Sequence, residues 1–173
     1  AMPYAEDLED PDPGSGPVKR ERLWNFAASQ ETQGMSPGMF EDFILQYQTP
    51  IMENFALTAY GCCEDMTQRI EALRSIPNLR RIAVTPMSNV AACAEQIGDR
   101  YAISYRPSPA DMVAYGLGAN EVRKILRRDL EALRANDCRI DITLKDVETI
   151  GGKPERVEQF VRICRELSEE LWG

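Results

Sequence analysis

Side chains that can act as ligands, acids or cations follow four short apolar segments of this chain. The first segment ends in Tyr60-Gly61-Cys62-Cys63-Glu64-Asp65, so two adjacent thiols and two carboxylates follow a glycine. Hydroxyl, amide, carboxylate and cationic groups follow the other three: Thr85, Ser88 and Asn89; Tyr105, Arg106 and Ser108; and Lys145, Asp146, Glu148 and Thr149. Because ligands of parallel sheets bind outside the carboxyl ends of the strands, the sequence predicts one polar rim that gathers these groups.

The adjacent thiols are the part of this rim with the most distinctive chemistry. Neighbouring cysteines cannot easily both bind one tetrahedral ion, and no second pair has ligand spacing. We expect one thiol to face the rim and the other to pack as a small hydrophobe, as Cys93, Cys138 and Cys164 should also do. Glu64 is either an assisting acid at the rim or a favourable charge at the start of the next helix.

Charged groups at the third and fourth segments suit an anionic ligand. Arg106 precedes a proline and can offer a guanidinium fork to a carboxylate or phosphate. Lys145 beside Asp146 either binds an anionic substrate or simply forms an ion pair with it. Together with Tyr60, these three residues are the candidate substrate contacts.

Four strand-then-helix units position these groups. The predicted strands lie near residues 56–60, 81–85, 101–105 and 140–144, and helices are predicted near 66–76, from Asn89, near 120–135 and through Leu171. Short β-branched segments alternating with helices predict an α/β fold with a four-stranded parallel sheet. Such a sheet is either open or half of an eight-stranded β/α barrel. A half barrel would leave two unpaired edges and an uncovered apolar face, and we would expect it to pair with a second copy or a partner.

The segment before these units divides into a tail and a helix. Residues 1 to 22 are predicted to be a flexible acidic tail, which Leu23-Trp24-Asn25-Phe26 anchors to a domain spanning residues 23–173. Ser36-Pro37 is typical of a helix start. The helix should be kinked or split at Pro50. Its apolar residues recur on one wide face: Met39, Phe40, Phe43, Ile44, Tyr47, Ile51, Met52 and Phe55.

Composition restricts the function further. The chain has 173 residues and a net charge of -8, which suit one soluble domain and argue against nucleic-acid binding. Neither a membrane span nor a secretory signal is expected, and five cysteines without an export signal indicate a reducing cytoplasm. The chain contains no histidine, so any proton transfer must use Asp, Glu, Tyr, Cys or Lys.

Several segments resemble the uroporphyrinogen decarboxylase superfamily, especially its methyltransferase-like members. The resemblance runs from about residue 24 to the end and matches only the carboxyl-terminal half of that family's β/α barrel. The matching segments are Ser29-Gln30-Glu31, Ser36-Pro37-Gly38-Met39-Phe40-Glu41-Asp42-Phe43 through Tyr47-Gln48, Tyr60-Gly61-Cys62-Cys63-Glu64 and Pro77-Asn78-Leu79-Arg80-Arg81.

The resemblance implies a barrel fold and a zinc ion that activates a thiol for methyl transfer from a corrinoid protein. Tyr60-Gly61-Cys62 stands where the methyltransferase branch has a His-x-Cys pair, so Cys62 is the residue that carries over as thiol or metal ligand. Lys145-Asp146 lies near the place of a later cysteine. Because the chain has no histidine for a lower cobalt ligand, we expect no corrinoid to be bound directly.

These observations leave two hypotheses. The chain is either a methyltransferase-like or decarboxylase-like half barrel completed by a missing amino-terminal half, or a non-catalytic fragment that forms a barrel-like homodimer. Decarboxylation by this chain alone is not expected, since the decarboxylase residues lie in the half that the resemblance does not cover.

Overall fold

In the part of the chain that the structure describes, five parallel strands form one sheet, whose spatial order follows their order in the chain. A computed structural model describes residue 17 and residues 19–173. The strands are β1 Trp24–Ala27, β2 Leu57–Tyr60, β3 Leu79–Val84, β4 Ala102–Tyr105 and β5 Arg139–Ile142. The predicted α/β fold with a parallel sheet is confirmed, but the predicted count of four strands is one too low.

The strand missing from the prediction is β1, in the segment expected only to anchor the tail. It pairs in parallel with β2, with Trp24 opposite Leu57 and Ala27 opposite Tyr60. A four-residue strand with a polar residue inside it gives little periodicity, so only the pairing with β2 reveals it. The preceding tail prediction falls mostly on residues outside the described part, and Arg20–Arg22 within it forms a 3-10 turn.

Helical segments connect the strands and follow the last one. The first connection is helical from Pro37 to Met52, and its Ser36 cap accepts a hydrogen bond from the Met39 backbone amide at 3.3 Å. The helices are α1 Pro37–Phe40, α2 Gln46–Met52, α3 Ile70–Leu73, α4 Val90–Ile97, α5 Ala119–Ala135 and α6 Glu155–Trp172, with π-type turns at Glu41–Leu45 and Ala110–Ala114.

The helical segment before β2 differs from its prediction. Phe40, Leu45 and Met52 are buried in it, whereas four residues predicted on the same face are 47% to 67% exposed. These four residues, which we call the apolar stripe, are Met39, Phe43, Tyr47 and Ile51. The π-type turn at Glu41–Leu45 adds a residue to the helical repeat and rotates the next turns of the helix, so a 3.6-residue spacing no longer marks one face. The irregular turn lies there rather than at Pro50, which is within the last turn of α2.

The two faces of the sheet are chemically different. Tyr60, Ile82, Val84, Ile103 and Tyr105 are buried on one face and join residues of the helices in a single core. Because side chains alternate along a strand, the next residues lie on the opposite face.

The centre of that opposite face is polar. The Arg81 guanidinium donates to both carboxylate oxygens of Asp141, at 2.5 and 2.7 Å, and to Ser104 Oγ at 2.9 Å. The uncovered apolar face expected of a half barrel is therefore not seen at the centre of this face, where β3, β4 and β5 carry these polar groups. Apolar exposure on this face is seen instead at Phe26 of β1.

Within the described residues, no helix is both long enough and apolar enough to cross a membrane.

Candidate functional site

A cavity of about 200 Å3 lies where β2, β3, β4 and β5 end. It brings together residues that are far apart in sequence: Cys62 and Cys63 after β2; Thr85, Pro86 and Met87 after β3; Arg106, Pro107 and Pro109 after β4; and Lys145 and Asp146 after β5. Four of the predicted site residues, Cys62, Arg106, Lys145 and Asp146, thus line one cavity. The two others, Tyr60 and Glu64, are not among its lining residues.

The loop after β2 determines where Cys62 lies. Gly61 has a φ of +101°, and a Cβ atom there would stand 3.1 Å from the Cβ of Ala83, so this turn requires glycine. The wholly buried Glu64 carboxylate accepts hydrogen bonds from the Cys62 amide at 2.7 Å and the Ser29 amide at 3.0 Å. The Glu64 side chain therefore fixes the loop to the end of β1 and acts on the cavity through the position of Cys62.

Tyr60 belongs to a buried polar network between β1, β2 and the helices. Its hydroxyl lies 2.7 Å from Gln48 Oε1 and 3.2 Å from Ser29 Oγ, and burial raises the pKa of Tyr60 to about 12. The Arg69 guanidinium donates to Ser29 Oγ at 3.2 Å and lies 4.6 Å from the centre of the Phe40 ring. The hydroxyl is thus occupied inside the protein rather than presented to a ligand.

Cys63, the thiol that the resemblance does not assign, has the closest charged neighbours. Its Sγ atom lies 3.6 Å from Cys62 Sγ, 3.4 Å from Asp146 Oδ2 and 3.1 Å from Lys145 Nζ. The Lys145 ammonium lowers the pKa of the Cys63 thiol, but desolvation and the hydrogen bonds to Cys62 and Asp146 outweigh it, so that pKa is raised.

Lys145 and Asp146 form an ion pair, with 2.5 Å between Nζ and Oδ2. The hydrogen bond from Lys145 holds the pKa of Asp146 below its ordinary value, and Asp146 is the main cause of the raised pKa of Lys145. Both groups are therefore charged at neutral pH and cancel one another.

Arg106 is the cation of the cavity that makes no direct contact with a carboxylate in the described part of the chain, although its charge also helps to lower the pKa of Asp146. Its side chain is almost entirely inside the protein, since the residue is only 8% exposed. Nη1 donates to the Cys62 carbonyl at 2.7 Å and Nε donates to Ser104 Oγ at 3.3 Å, both of them neutral acceptors. Since Lys145 and Asp146 cancel, Arg106 leaves the cavity with one net positive charge.

The side chains of the cavity do not fit a zinc ion as they are arranged here. No group of three or more Cys, Asp or Glu side chains in the described part of the chain could hold a metal. The Lys145 ammonium contacts both Cys63 Sγ and Asp146 Oδ2, so a cation already occupies the place between these two potential ligands.

Sequence reasoning missed several residues that hold the site together. Ser29 and Gln48 lie outside the predicted strand ends, yet they bond the loop and the tyrosine that precedes it, and Arg69 in turn bonds Ser29. Their residue types do not indicate this structural role in the sequence, because each one bonds a partner that is more than ten residues away along the chain. No family model matches the chain, and no curated protein is similar enough to be matched to it.

Proposed function

We propose that the chain is a half-barrel domain related to the methyltransferase-like members of the uroporphyrinogen decarboxylase superfamily, and that the strand-end cavity is its substrate site. The observation that carries the proposal is that residues following four neighbouring strands line this one cavity. Parallel strands in sequential order are the arrangement of a β/α barrel, whose active sites lie at the carboxyl ends of its strands.

Each residue of the site would have a separate role. Cys62 supplies the thiol, Arg106 binds an anionic group of the substrate, and Lys145 with Asp146 borders the same space. Glu64 is a positioning residue, because its carboxylate is bonded to the Cys62 and Ser29 amides. The zinc and the separate corrinoid protein that the resemblance implies remain predictions.

Zinc binding would need the side chains of the cavity to rearrange. Cys62 would be one ligand, Lys145 would have to leave Cys63, and further ligands would have to come from another chain. A partner that supplies the remaining strands would meet that need, because eight strands complete a barrel and the sheet has five in the described part of the chain.

Titration calorimetry with 3-mercaptopropionate, a small thiol that carries one carboxylate, tests the substrate site on the reduced chain. We expect saturable binding that Arg106→Gln weakens by about tenfold or more, since a charge-assisted hydrogen bond is lost. Cys62→Ser should also weaken it. Arg162→Gln, on the exposed surface of α6, is the matched control and should bind like the unaltered chain.

Two results would contradict the proposal. One is the absence of saturable binding by the unaltered chain, and the other is equal affinity in the Arg106 and Arg162 variants. Metal analysis of the same samples, purified with zinc present, tests the zinc prediction separately: bound zinc that Cys62→Ser removes would support it.

Self-association is a second candidate function, and a specific observation favours it. The apolar stripe is exposed on the helical segment before β2, whose α2 packs near β1, and Phe26 is exposed on β1 itself. A homodimer that covers them would be barrel-like only in joining two parallel sheets, since it would hold ten strands, and it would need no catalytic residue.

A further inference from the structure

We propose that Cys62 and Cys63 form a reversible disulfide that switches the anion affinity of the cavity. The disulfide stands on the geometry of the two thiols alone, whereas its effect on affinity rests on the proposed substrate site. Oxidation would close a bond between adjacent residues at the wall of the cavity, and reduction would restore the two free thiols and their contacts.

Accessibility selects this pair among the five cysteines. Cys93, Cys138 and Cys164 are buried inside the protein. Cys63 is exposed and Cys62 is half-buried, so an oxidant in solution reaches these two thiols first.

The distance between the two sulfur atoms suits a bond that forms and breaks readily. They are 3.6 Å apart, and a disulfide needs about 2.05 Å, so a small rotation of the side chains and of the peptide between them is required. Adjacent Cα atoms are about 3.8 Å apart, which is shorter than the usual span of about 4.4 to 6.8 Å for a disulfide. Strained, exposed disulfides are the easily reduced ones, and those that occur in reducing compartments are mostly catalytic or redox-sensing.

Both cations of the cavity are bound to this pair. The Cys62 carbonyl accepts the 2.7 Å hydrogen bond from Arg106, and Cys63 Sγ accepts the 3.1 Å hydrogen bond from Lys145. The Cys62 carbonyl belongs to the peptide that must rotate when the ring closes. Oxidation therefore turns the Cys62 carbonyl away from Arg106, which loses the hydrogen bond that orients it toward the cavity. It also converts the Cys63 thiol that contacts Lys145 into a disulfide sulfur.

A low-molecular-weight disulfide such as oxidised glutathione supplies the oxidising equivalents. The Cys63 sulfur attacks one of its sulfur atoms, which breaks the S–S bond and releases one reduced glutathione. The Cys62 sulfur then attacks Cys63 in this mixed disulfide and releases the second glutathione. The two thiol protons leave with the two glutathione molecules, and the chain loses two electrons to them.

Intact-mass spectrometry after incubation with oxidised glutathione tests the bond. We expect the folded chain to lose two hydrogen atoms, with full recovery after treatment with a dithiol reductant. Cys62→Ser and Cys63→Ser are matched controls, which should instead retain one glutathione or remain unmodified. The proposal is wrong if the unaltered chain, like these variants, shows no loss of two hydrogen atoms.

Calorimetric titration with acetate, which cannot react with sulfur, tests the switch. The reduced chain should bind acetate about tenfold or more tightly than the oxidised chain, corresponding to the loss of a charge-assisted hydrogen bond. The double variant Cys62→Ser with Cys63→Ser should bind acetate equally before and after glutathione treatment. Equal affinity of the two forms of the unaltered chain would refute the switch. If the disulfide forms but the reduced chain binds no acetate, the anion-binding site of the proposed function fails together with the switch, and only the redox pair stands.

Discussion

At the scale of single residues, the contacts of each strand-end side chain show whether it stabilises the fold or faces the cavity. Glu64 and Tyr60 have side chains that can act as acids or bases, and both lie near the carboxyl end of β2. Both are nevertheless buried and hydrogen-bonded within the protein. Arg106 is also buried, but its acceptors are neutral and it lines the cavity. Whether a polar side chain serves the fold or the ligand thus depends on its partner atoms rather than on its own type.

Replacing Glu64 with Gln should lower the free energy of unfolding by about 1 to 3 kcal/mol, because a neutral amide cannot accept from both the Cys62 and Ser29 amides through two oxygens. Urea unfolding followed by circular dichroism measures the change. Glu148→Gln at an exposed position is the control and should change stability by less than about 0.5 kcal/mol. Equal stability of the two variants would show that the buried carboxylate does not hold the loop.

At the scale of elements, one arginine connects two loops that the sequence alone does not relate. Arg156, in the first turn of α6, donates through Nη1 to the carbonyl oxygens of Ala114 at 2.7 Å and of Val113 and Ile150 at 3.2 Å. Gly116 makes room for it, since a Cβ atom there would lie 2.6 Å from Arg156 Nη2. The guanidinium thereby ties the loop after β4 to the loop after β5, next to the segments that carry Arg106 and Lys145.

Arg156→Met keeps most of the aliphatic stem but removes the donors, so three carbonyl groups lose a charged partner. We expect the free energy of unfolding to fall by about 1.5 to 3 kcal/mol, the range for hydrogen bonds to charged groups. Urea denaturation gives the value, and Arg162→Met on the exposed surface of α6 controls for loss of charge. A loss as large in the control would point to helix charge rather than to the contact between loops.

Helices and strands could be predicted from the sequence where their apolar periodicity agrees with the face that they bury in the fold. α5 was predicted from Asn120 to Ala135 and begins one residue earlier, at Ala119, because its apolar periodicity matches the face it buries. β1 and the apolar stripe were mispredicted because strand pairing and the π-type turn override local spacing. The gathering of Cys62, Arg106, Lys145 and Asp146 followed from parallel topology alone. The buried positions of Tyr60 and Glu64 depend on residues such as Ser29 and Gln48, which topology does not reveal.

At the scale of the molecule, the sheet ends in two strands that each have one neighbour in the described part of the chain. β1 pairs only with β2 there, and β5 pairs only with β4. Unpaired edges and exposed apolar side chains commonly mark association surfaces. At the β1 edge, Phe26 is exposed on the strand itself, and the apolar stripe is exposed on the helical segment that packs near this strand through α2.

Multi-angle light scattering at micromolar concentration should therefore show a dimer for the unaltered chain. Phe43→Glu, which places a charge in the centre of the apolar stripe, should shift the chain to a monomer. Tyr115→Glu changes a residue that is exposed in a loop outside the stripe and should leave the dimer intact. A monomer for the unaltered chain would argue against the self-association function.

The sequential order of the strands also affects how the protein acquires its structure. Each strand pairs with the strands immediately before and after it in the chain, so no later strand inserts between two that are already paired. The paired residues are nonetheless far apart in sequence, as Trp24 and Leu57 are, and such non-local pairing slows folding. During synthesis, β1 and β2 can pair once the second strand has left the ribosome, and each later unit can add to an edge that already exists.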